Sequence, residues 1–236
     1  LSGDPAENPA QAEATEPSGV AAQAADPIKV GLLMAYDTAY MGQFNQDVLE
    51  GIQRAEDELG AVVETIETRH PEESMEFIDR FAEEDVDVII TAGFEFENMT
   101  AEAAGTYREV QFVAIDQPGL LDQEYGNVTV LVYEFDKIGF LAGAFAGMLT
   151  ESGTVTGLYS VESISPIVSG KEGFEAGVAY IDSSIEVKSI YYEGSYENWL
   201  EDSNWYEAEA RKAVDNGADV VFAFAGQSAL GALEAA

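Results

Sequence analysis

Aromatic and polar side chains recur just after the segments that the sequence pattern predicts as buried strands. Because ligands bind at the carboxyl ends of strands in open α/β sheets, these side chains are candidates for a binding site. Aromatic faces with a few fixed polar groups suit a small planar or sugar-bearing ligand. A single aromatic residue is more often part of a core, so the shared location of the set carries the prediction. The candidates are Tyr36, Asp37, Tyr40 and Phe44 after the first strand, Gly93 and Phe94 after the third, Asp116 after the fourth, and Phe224, Ala225 and Gly226 at the last.

The sequence contains no combination of residues that predicts catalysis. It has no cysteine, and its single histidine, His70, precedes a proline in a predicted turn. The segment 226–231 resembles a nucleophile elbow, but it lacks the G-x-S-x-G spacing and a histidine further along the chain. We expect Ser228 to cap a helix instead, and Gly170-Lys171 lacks the residues that complete a phosphate-binding loop. The sequence therefore predicts a binding protein without cofactor or metal, and not an enzyme.

An alternation of strands and helices must position these candidates. The first strand, 28–35, is an aliphatic run without polar alternation, which is typical of a strand buried on both faces. It leads into a helix whose apolar residues share one face: Phe44, Val48, Ile52, Ala55 and Leu59. Further strands are predicted at 61–68, 86–92, 111–115, 128–133, 154–159, 185–192 and 219–224, and further helices at 72–84, 95–107, 135–149, 167–181, 203–216 and from about 228.

This alternation predicts an α/β protein of two lobes with doubly wound parallel sheets. Every strand–helix–strand link is long enough for a right-handed crossover, which favours parallel pairing. We expect an N-terminal lobe over 28–134, a C-terminal lobe over 135–236, and a ligand cleft between them. The helix over 135–149 is rich in glycine and alanine, so one of its faces is expected to pack closely against a neighbour.

The chain is strongly acidic. Its 236 residues include 45 Asp and Glu against 10 Lys and Arg, a formal net charge of −35. Such a charge argues against nucleic acid and anionic membrane surfaces as direct partners, since both require cationic patches. The acidic residues are spread along the chain, and salt screens the repulsion between them. We therefore expect a halophilic source; the alternative is an acidic secreted protein.

Residues 1–27 are predicted to form a disordered tether, because they have too few large apolar side chains to offset the entropy of ordering. The opening Leu1-Ser2-Gly3 resembles the end of a lipoprotein signal, although Asp4 stands where the lipid-bearing cysteine would be. The sequence has no apolar run of transmembrane length. Any attachment to a membrane is therefore expected to be through a lipid anchor alone.

A series of short segments follows, in order and over about residues 28–236, the pattern of a known family. The segments are Val30-Gly31-Leu32, Phe44-Asn45-Gln46, Glu50-Gly51, 87–90 with Gly93-Phe94, 112–116, Asn127-Val128, 139–143, 173–177, 194–196, and 217–221 with Ala225-Gly226. They resemble the basic membrane protein family of solute-binding lipoproteins, which serve ABC importers and include the purine-nucleoside receptor type. The ordered series, more than any one segment, makes the resemblance specific.

The resemblance implies a two-lobed periplasmic-binding-protein architecture with a hinge, and capture of a nucleoside outside the membrane for delivery to an ABC transporter permease. By this resemblance Phe44 and Phe224 stack on the base from opposite lobes. Asn45 and Asp116 form hydrogen bonds with the base or the ribose, and Gly226 lets the backbone approach the ligand. The implied location is extracytoplasmic, as a membrane-anchored lipoprotein or in the periplasm, and we expect a monomer.

Two positions depart from the family pattern. Ala35 ends the first strand where the family usually has an aspartate that contacts the nucleoside, and Tyr40-Met41 replaces an acidic pair. Asp37 offers a carboxylate two residues further on, in a different direction. Family members also continue past the position of Ala236 with a strand and a helix that carry pocket residues, so we expect a truncated chain. Two alternatives stay open: the ligand is a sugar or another small molecule, or the protein is a ligand-sensing module of the same fold that controls a receptor or regulator.

Overall fold

The computed structural model describes residues 26–35, 42–70, 73–195 and 198–235. The strands are β1 (Lys29–Ala35), β2 (Val62–Thr68), β3 (Val88–Ala92), β4 (Gln111–Ile115), β5 (Val128–Leu131), β6 (Thr154–Tyr159), β7 (Glu186–Tyr191) and β8 (Val220–Phe224). The helices are α1 (Gln43–Leu59), α2 (Ser74–Glu83), α3 (Glu97–Thr106), α4 (Phe135–Leu149), α5 (Ser165–Ile181), α6 (Ser203–Asp215) and α7 (Leu230–Leu233). Short 3₁₀ turns occupy Phe94–Phe96, Pro118–Leu120 and Gly226–Ala229.

The first sheet has five parallel strands in the order β2-β1-β3-β4-β5. Six of the seven residues of β1 are buried, as expected for a strand covered on both faces. The register places Met34 opposite Ala92, and Ala92 opposite Ile115. The carboxyl ends of β1, β3 and β4 therefore meet at one edge, immediately before Gly93 and Asp116.

The second sheet has three parallel strands in the order β7-β6-β8. In its register Tyr159 lies opposite both Tyr191 and Phe224, so the three strands end at the same level. A core of buried residues covers this end of the sheet and includes Trp199 and Tyr206. The carboxyl edge of the second sheet thus carries Phe224 beside an aromatic core.

Helices α4 and α5 pack backbone against backbone through glycines. A Cβ added at Gly143 would lie 2.0 Å from the carbonyl oxygen of Phe174, and one added at Gly173 would lie 2.0 Å from that of Asp136. Gly139 and Gly177 make equally close approaches. The close packing predicted for the glycine-rich helix is therefore confirmed, and it depends on residues without a side chain.

The predicted strands and helices are confirmed, each within two residues at its ends. Leu59, the last residue of α1, is 75% exposed, and Gly60 after it has a φ of 68°. Residues 1–25 of the predicted tether lie outside the described residues. The lobe boundary at residue 134 stays a prediction. Among the described helices, none has the length and apolar character needed to cross a membrane.

Replacing Gly143 by Ala is expected to lower the free energy of unfolding by about 1–3 kcal/mol, because the new methyl group would force α4 and α5 apart. Urea unfolding measures the change. Gly51→Ala in α1 is the matched control, since a Cβ there meets no atom within 4 Å. It is expected to raise the free energy of unfolding by up to about 1 kcal/mol through helix propensity. Equal stability of the Gly143→Ala variant and the wild type would contradict the proposed packing.

Candidate functional site

A cavity of about 190 Å³ lies between the carboxyl edge of the first sheet and the second sheet. One wall comes from the chain after β3 and β4, and the other from the end of β8, the start of α5 and the segment before α6. Its volume is below the roughly 300–1,000 Å³ of most ligand pockets, so it suits one small ligand. The lining residues are Phe44, Gly93, Phe94, Glu95, Asp116, Phe135, Ile164, Pro166, Ile167, Trp199, Leu200, Phe224, Ala225 and Gly226.

A larger groove of about 540 Å³ lies between α1 and strands β3, β4 and β5. Its walls are mostly aliphatic and aromatic, and Asp47 and Tyr133 are the polar side chains among its lining residues. Ligand sites combine apolar walls with several convergent polar groups. The smaller cavity, which has two carboxyl groups and lies where strand ends converge, is therefore the stronger candidate.

The structure brings most of the predicted binding residues together. Tyr36 and Asp37, with Tyr40, lie outside the described residues. Contact of the others with a ligand stays a prediction, but their convergence is a property of the fold. Seven of the eleven candidate residues line the cavity: Phe44, Gly93, Phe94, Asp116, Phe224, Ala225 and Gly226.

Asn45 is fully buried and does not line the cavity. Its Nδ2 donates a hydrogen bond of 3.1 Å to the carbonyl oxygen of Ala35. This bond ties the first turn of α1 to the end of β1 and so helps to place Phe44. Its predicted contact with the ligand stays a prediction, and the structure gives it a positioning role.

The ring of Phe224 is held by its neighbours. Its centroid lies 5.7 Å from that of Phe135, and it stacks on Phe222 with centroids 6.0 Å apart and planes 15° apart. Gly170 lies so close that an added Cβ would be 2.5 Å from the Phe224 ring. These contacts fix an aromatic face at the cavity wall. The wall residue Phe135 was missed from the sequence, where it served only as the start of a helix.

Glu95 and Asp116 are the titratable groups of the cavity lining. Both carboxylate oxygens of Glu95 are buried, and neither accepts a hydrogen bond from another described residue. Burial raises the pKa of Glu95 to about 7, opposed in part by its own backbone N–H and reinforced by the charge of Asp116. Burial also raises the pKa of Asp116 to about 6. Both carboxyl groups thus keep their protons to a higher pH than exposed carboxyl groups do, and the two oxygens of Glu95 are buried at the cavity.

Glu95 was not among the predicted binding residues. In a chain with 45 acidic residues, no single carboxylate stands out by its type. The available signal was its position, directly after Gly93-Phe94 at the end of a predicted strand. Within the described part of the chain, no group of three or more His, Cys, Asp or Glu residues could hold a metal ion.

The end of β4 is held by an unusual backbone conformation and a buried amide. Asp116 has a φ of 61°, in the left-handed region that residues other than glycine rarely adopt. The next residue, Gln117, is fully buried, and its Nε2 donates to the carbonyl oxygens of Thr91 at 3.0 Å and Gly93 at 3.1 Å. These bonds join the ends of β3 and β4. They place Asp116 and the turn that carries Glu95 side by side.

The opposite wall contains Trp199 and Leu200, which are 5% and 6% exposed and were not predicted to line the site. Ser228 holds this segment: its hydroxyl donates to the carbonyl oxygen of Trp199 at 2.5 Å. The prediction that Ser228 caps a helix is wrong. It lies inside a 3₁₀ turn, the N-cap of α7 is Ala229, and the buried hydroxyl bonds to a distant carbonyl instead.

Replacing Glu95 by Gln is expected to stabilise the protein at pH 8 and to have little effect near pH 4.5. The folded wild type keeps the Glu95 proton up to about pH 7, whereas an unperturbed glutamate loses it near its ordinary pKa of 4.5. The unfolded state therefore binds fewer protons between these values, and the free energy of unfolding falls as pH rises. Glutamine carries no charge, so the gain grows to at most about 3 kcal/mol.

Urea unfolding at pH 5, 6, 7 and 8 in one salt concentration measures this gain. Glu102→Gln is the matched control, because it makes the same change of charge at an exposed position of α3. It is expected to change the free energy of unfolding by less than about 0.5 kcal/mol at every pH. The explanation fails if the Glu95→Gln difference does not grow with pH, or if the control shows the same growth.

Comparison with solved structures agrees with the parallel α/β architecture. A solute-binding protein of an ABC transporter system from Aeropyrum pernix superposes with a TM-score of 0.72 at 21% identity, over 89% of this chain and 58% of that one. A likeness at this identity shows the fold. It confirms the predicted class, a two-lobed periplasmic-binding-protein-like fold with parallel sheets.

Two curated relatives match most of the chain. Basic membrane protein A1 of Borrelia garinii subsp. bavariensis is 23% identical over 194 residues, which cover 82% of this chain and 55% of that protein. An uncharacterized lipoprotein of Pyrococcus abyssi is 24% identical over 211 residues, which cover 88% of this chain and 52% of that protein. The chain thus spans about half the length of these relatives.

A family model matches almost the whole described chain. It covers residues 29–236 and is described as ABC transporter substrate-binding protein PnrA-like. This match confirms the resemblance drawn from the ordered segments of the sequence. The chain therefore belongs to the Bmp family of PnrA-like ABC transporter substrate-binding proteins.

Proposed function

We propose that the protein is the extracytoplasmic solute-binding component of an ABC importer and captures a nucleoside-like small molecule between its two lobes. The observation that carries this proposal is the convergence of Phe44 and Phe224 on one cavity that also contains the carboxyl groups of Glu95 and Asp116. Two aromatic side chains suit the two faces of a planar base, and the carboxyl groups suit hydrogen-bond donors of the same ligand.

The proposed mode of binding follows from the origin of each group. Phe44 belongs to α1 beside the first sheet, and Phe224 ends β8 of the second sheet. A base held between these rings would bring the two sheets together around it. Gly226, which is exposed and has a φ of 58°, has no Cβ and leaves its backbone accessible to the ligand. Closure of the lobes would also change the volume of the cavity, which is small in this structure.

The partner in this proposal is an ABC transporter permease that recognises the closed conformation of the two lobes. The family description names ABC transporter substrate binding, and the relative from Pyrococcus abyssi is named a lipoprotein. We therefore place the protein outside the cytoplasm, attached through a lipid anchor or held in a periplasm. We also propose that the protein is a monomer and that it releases its ligand chemically unchanged.

Isothermal titration of the full-length protein with adenosine, guanosine, inosine, uridine, free bases and ribose tests the proposal. We expect saturable binding of at least one nucleoside, which is recovered unchanged. Phe44→Leu and Phe224→Leu are each expected to weaken that binding by at least about fivefold, because stacking on an aromatic ring contributes roughly 1–3 kcal/mol per base.

Phe145→Leu is the matched control, since Phe145 is 63% exposed on α4 and does not line the cavity. Its affinity is expected to equal that of the wild type. Binding of ribose or another sugar without any nucleoside would replace the proposed ligand class. Absence of heat with every compound would reject capture of these ligands altogether.

The acidic composition leads us to propose a halophilic source as well. At a net charge of −35, repulsion between carboxylates destabilises the folded chain, and raising salt from 0.1 to 1 M shortens the screening length from about 10 to about 3 Å. The midpoint of thermal unfolding is therefore expected to rise with NaCl up to molar concentration. Sucrose at equal osmolality is the control for effects other than screening. A falling midpoint would reject this adaptation.

A further inference from the structure

The carboxyl group of Glu95 occupies space that its neighbours leave open. A Cβ added at Gly93 would lie 2.6 Å from Oε2 of Glu95 and 3.5 Å from the Cβ of Ala35. Gly93 therefore has to lack a side chain for Glu95 to lie where it does, and its φ of 125° also favours glycine. The carboxyl group thus lies near the end of β1, where Ala35 itself offers only a methyl group.

The buried oxygens of Glu95 lack what a buried carboxylate normally has. Neither accepts a hydrogen bond from another described residue. A buried polar group without a partner costs roughly 1–3 kcal/mol, so its persistence in a cavity wall points to a partner that is not among the described residues. Gln117 lies close by, but the bonds of its Nε2 go to Thr91 and Gly93 and not to this carboxyl group.

No positive charge faces Glu95 from the described residues that line the cavity. Asp116 is the one other titratable group of the lining, and the residues contributed by α1, α4, α5, the Trp199 segment and β8 are all uncharged. The lysines on the two nearest helices are engaged elsewhere: Lys137 pairs with Glu134, and Lys171 pairs with Glu175. The described residues that line the cavity therefore supply no cationic partner for the carboxyl pair.

Aromatic and aliphatic walls favour a neutral ligand over a cationic one. Transfer of a full charge into such surroundings costs more than transfer of a hydroxyl or amide group that finds an acceptor there. The carboxyl pair supplies mainly acceptor oxygens, because a carboxyl group has one O–H donor when protonated and none when ionised. The chemistry of the cavity thus selects for neutral ligands with O–H or N–H groups.

We propose that Glu95 is a specificity-determining residue of the cleft: with Asp116 it accepts hydrogen bonds from O–H or N–H groups of a neutral ligand, and binding releases the proton that the carboxyl pair holds. The proposal rests on the proposed function, since it concerns the same cavity. Ionised carboxylates accept stronger hydrogen bonds than protonated ones, so the ligand favours the ionised pair. Affinity therefore rises with pH up to about pH 7, the pKa to which burial raises Glu95, and then levels off.

The test uses the full-length protein and the nucleoside with the highest affinity in the titration panel. Titrations between pH 5.5 and 8.5, in pairs of buffers with different ionisation enthalpies, give both the Kd and the number of protons released. We expect release of a fraction of a proton near pH 6 and none at pH 8.5. The 2′-deoxy and 3′-deoxy forms of the same nucleoside, with its free base, identify which donor meets the carboxyl pair.

The variant Glu95→Gln is expected to weaken binding at pH 8 by roughly 10- to 150-fold, the range for a lost hydrogen bond to a charged group. It is also expected to remove most of the pH dependence and most of the proton release. Glu102→Gln, exposed on α3, is expected to keep the wild-type values. Proton release by the wild type tests the proposal by itself should the Glu95→Gln variant fail to fold.

The outcomes separate this proposal from the proposed function. If the wild type binds none of the nucleosides, the proposed function fails and the role of Glu95 fails with it. If the wild type binds but releases no proton, or if Glu95→Gln binds with unchanged affinity and pH dependence, the role of Glu95 alone is overturned. Tighter binding of a cationic analogue such as 1-methyladenosine than of its neutral parent would overturn the preference for neutral ligands.

Discussion

Parallel pairing of all eight described strands is the constraint on which the rest of the structure depends. In a parallel sheet every carboxyl end lies at the same edge, so residues far apart in the chain are gathered wherever strands stop. The first sheet collects the residues after β1, β3 and β4 in this way, and the second collects those after β8. The cavity lies where the two edges meet, and its lining runs from Phe44 to Gly226.

Two features at the carboxyl ends of β3 and β4 lower the stability of the folded protein. The carboxylate oxygens of Glu95 are buried without a hydrogen-bond partner among the other described residues, and Asp116 adopts a left-handed backbone conformation. Both features are unfavourable for folding, and both occur beside the bonds of Gln117 that join β3 to β4. Locally unfavourable features held in place by a rigid surround are typical of functional sites.

The sequence was sufficient for the elements and for about half of the cavity lining. Aliphatic runs and helical periodicity are local signals, and they placed Phe44, Asp116 and Phe224 at strand ends. Contacts between distant segments leave no such signal, so Phe135 and Trp199 were missed. Glu95 was missed because the chain contains many acidic residues, and only the burial of its carboxylate oxygens in the folded protein distinguishes it from the others. The capping role predicted for Ser228 was wrong because its hydroxyl donates to a carbonyl oxygen 29 residues away, a contact that leaves no local signal in the sequence.

A crystal structure of the full-length protein with a bound nucleoside tests the central claim most directly. We predict density for the base between the rings of Phe44 and Phe224, with ligand O–H or N–H groups within hydrogen-bond distance of Glu95 and Asp116. A nucleoside bound instead in the larger groove between α1 and strands β3, β4 and β5, with no ligand group near Glu95 or Asp116, would contradict the claim that this cleft is the ligand site.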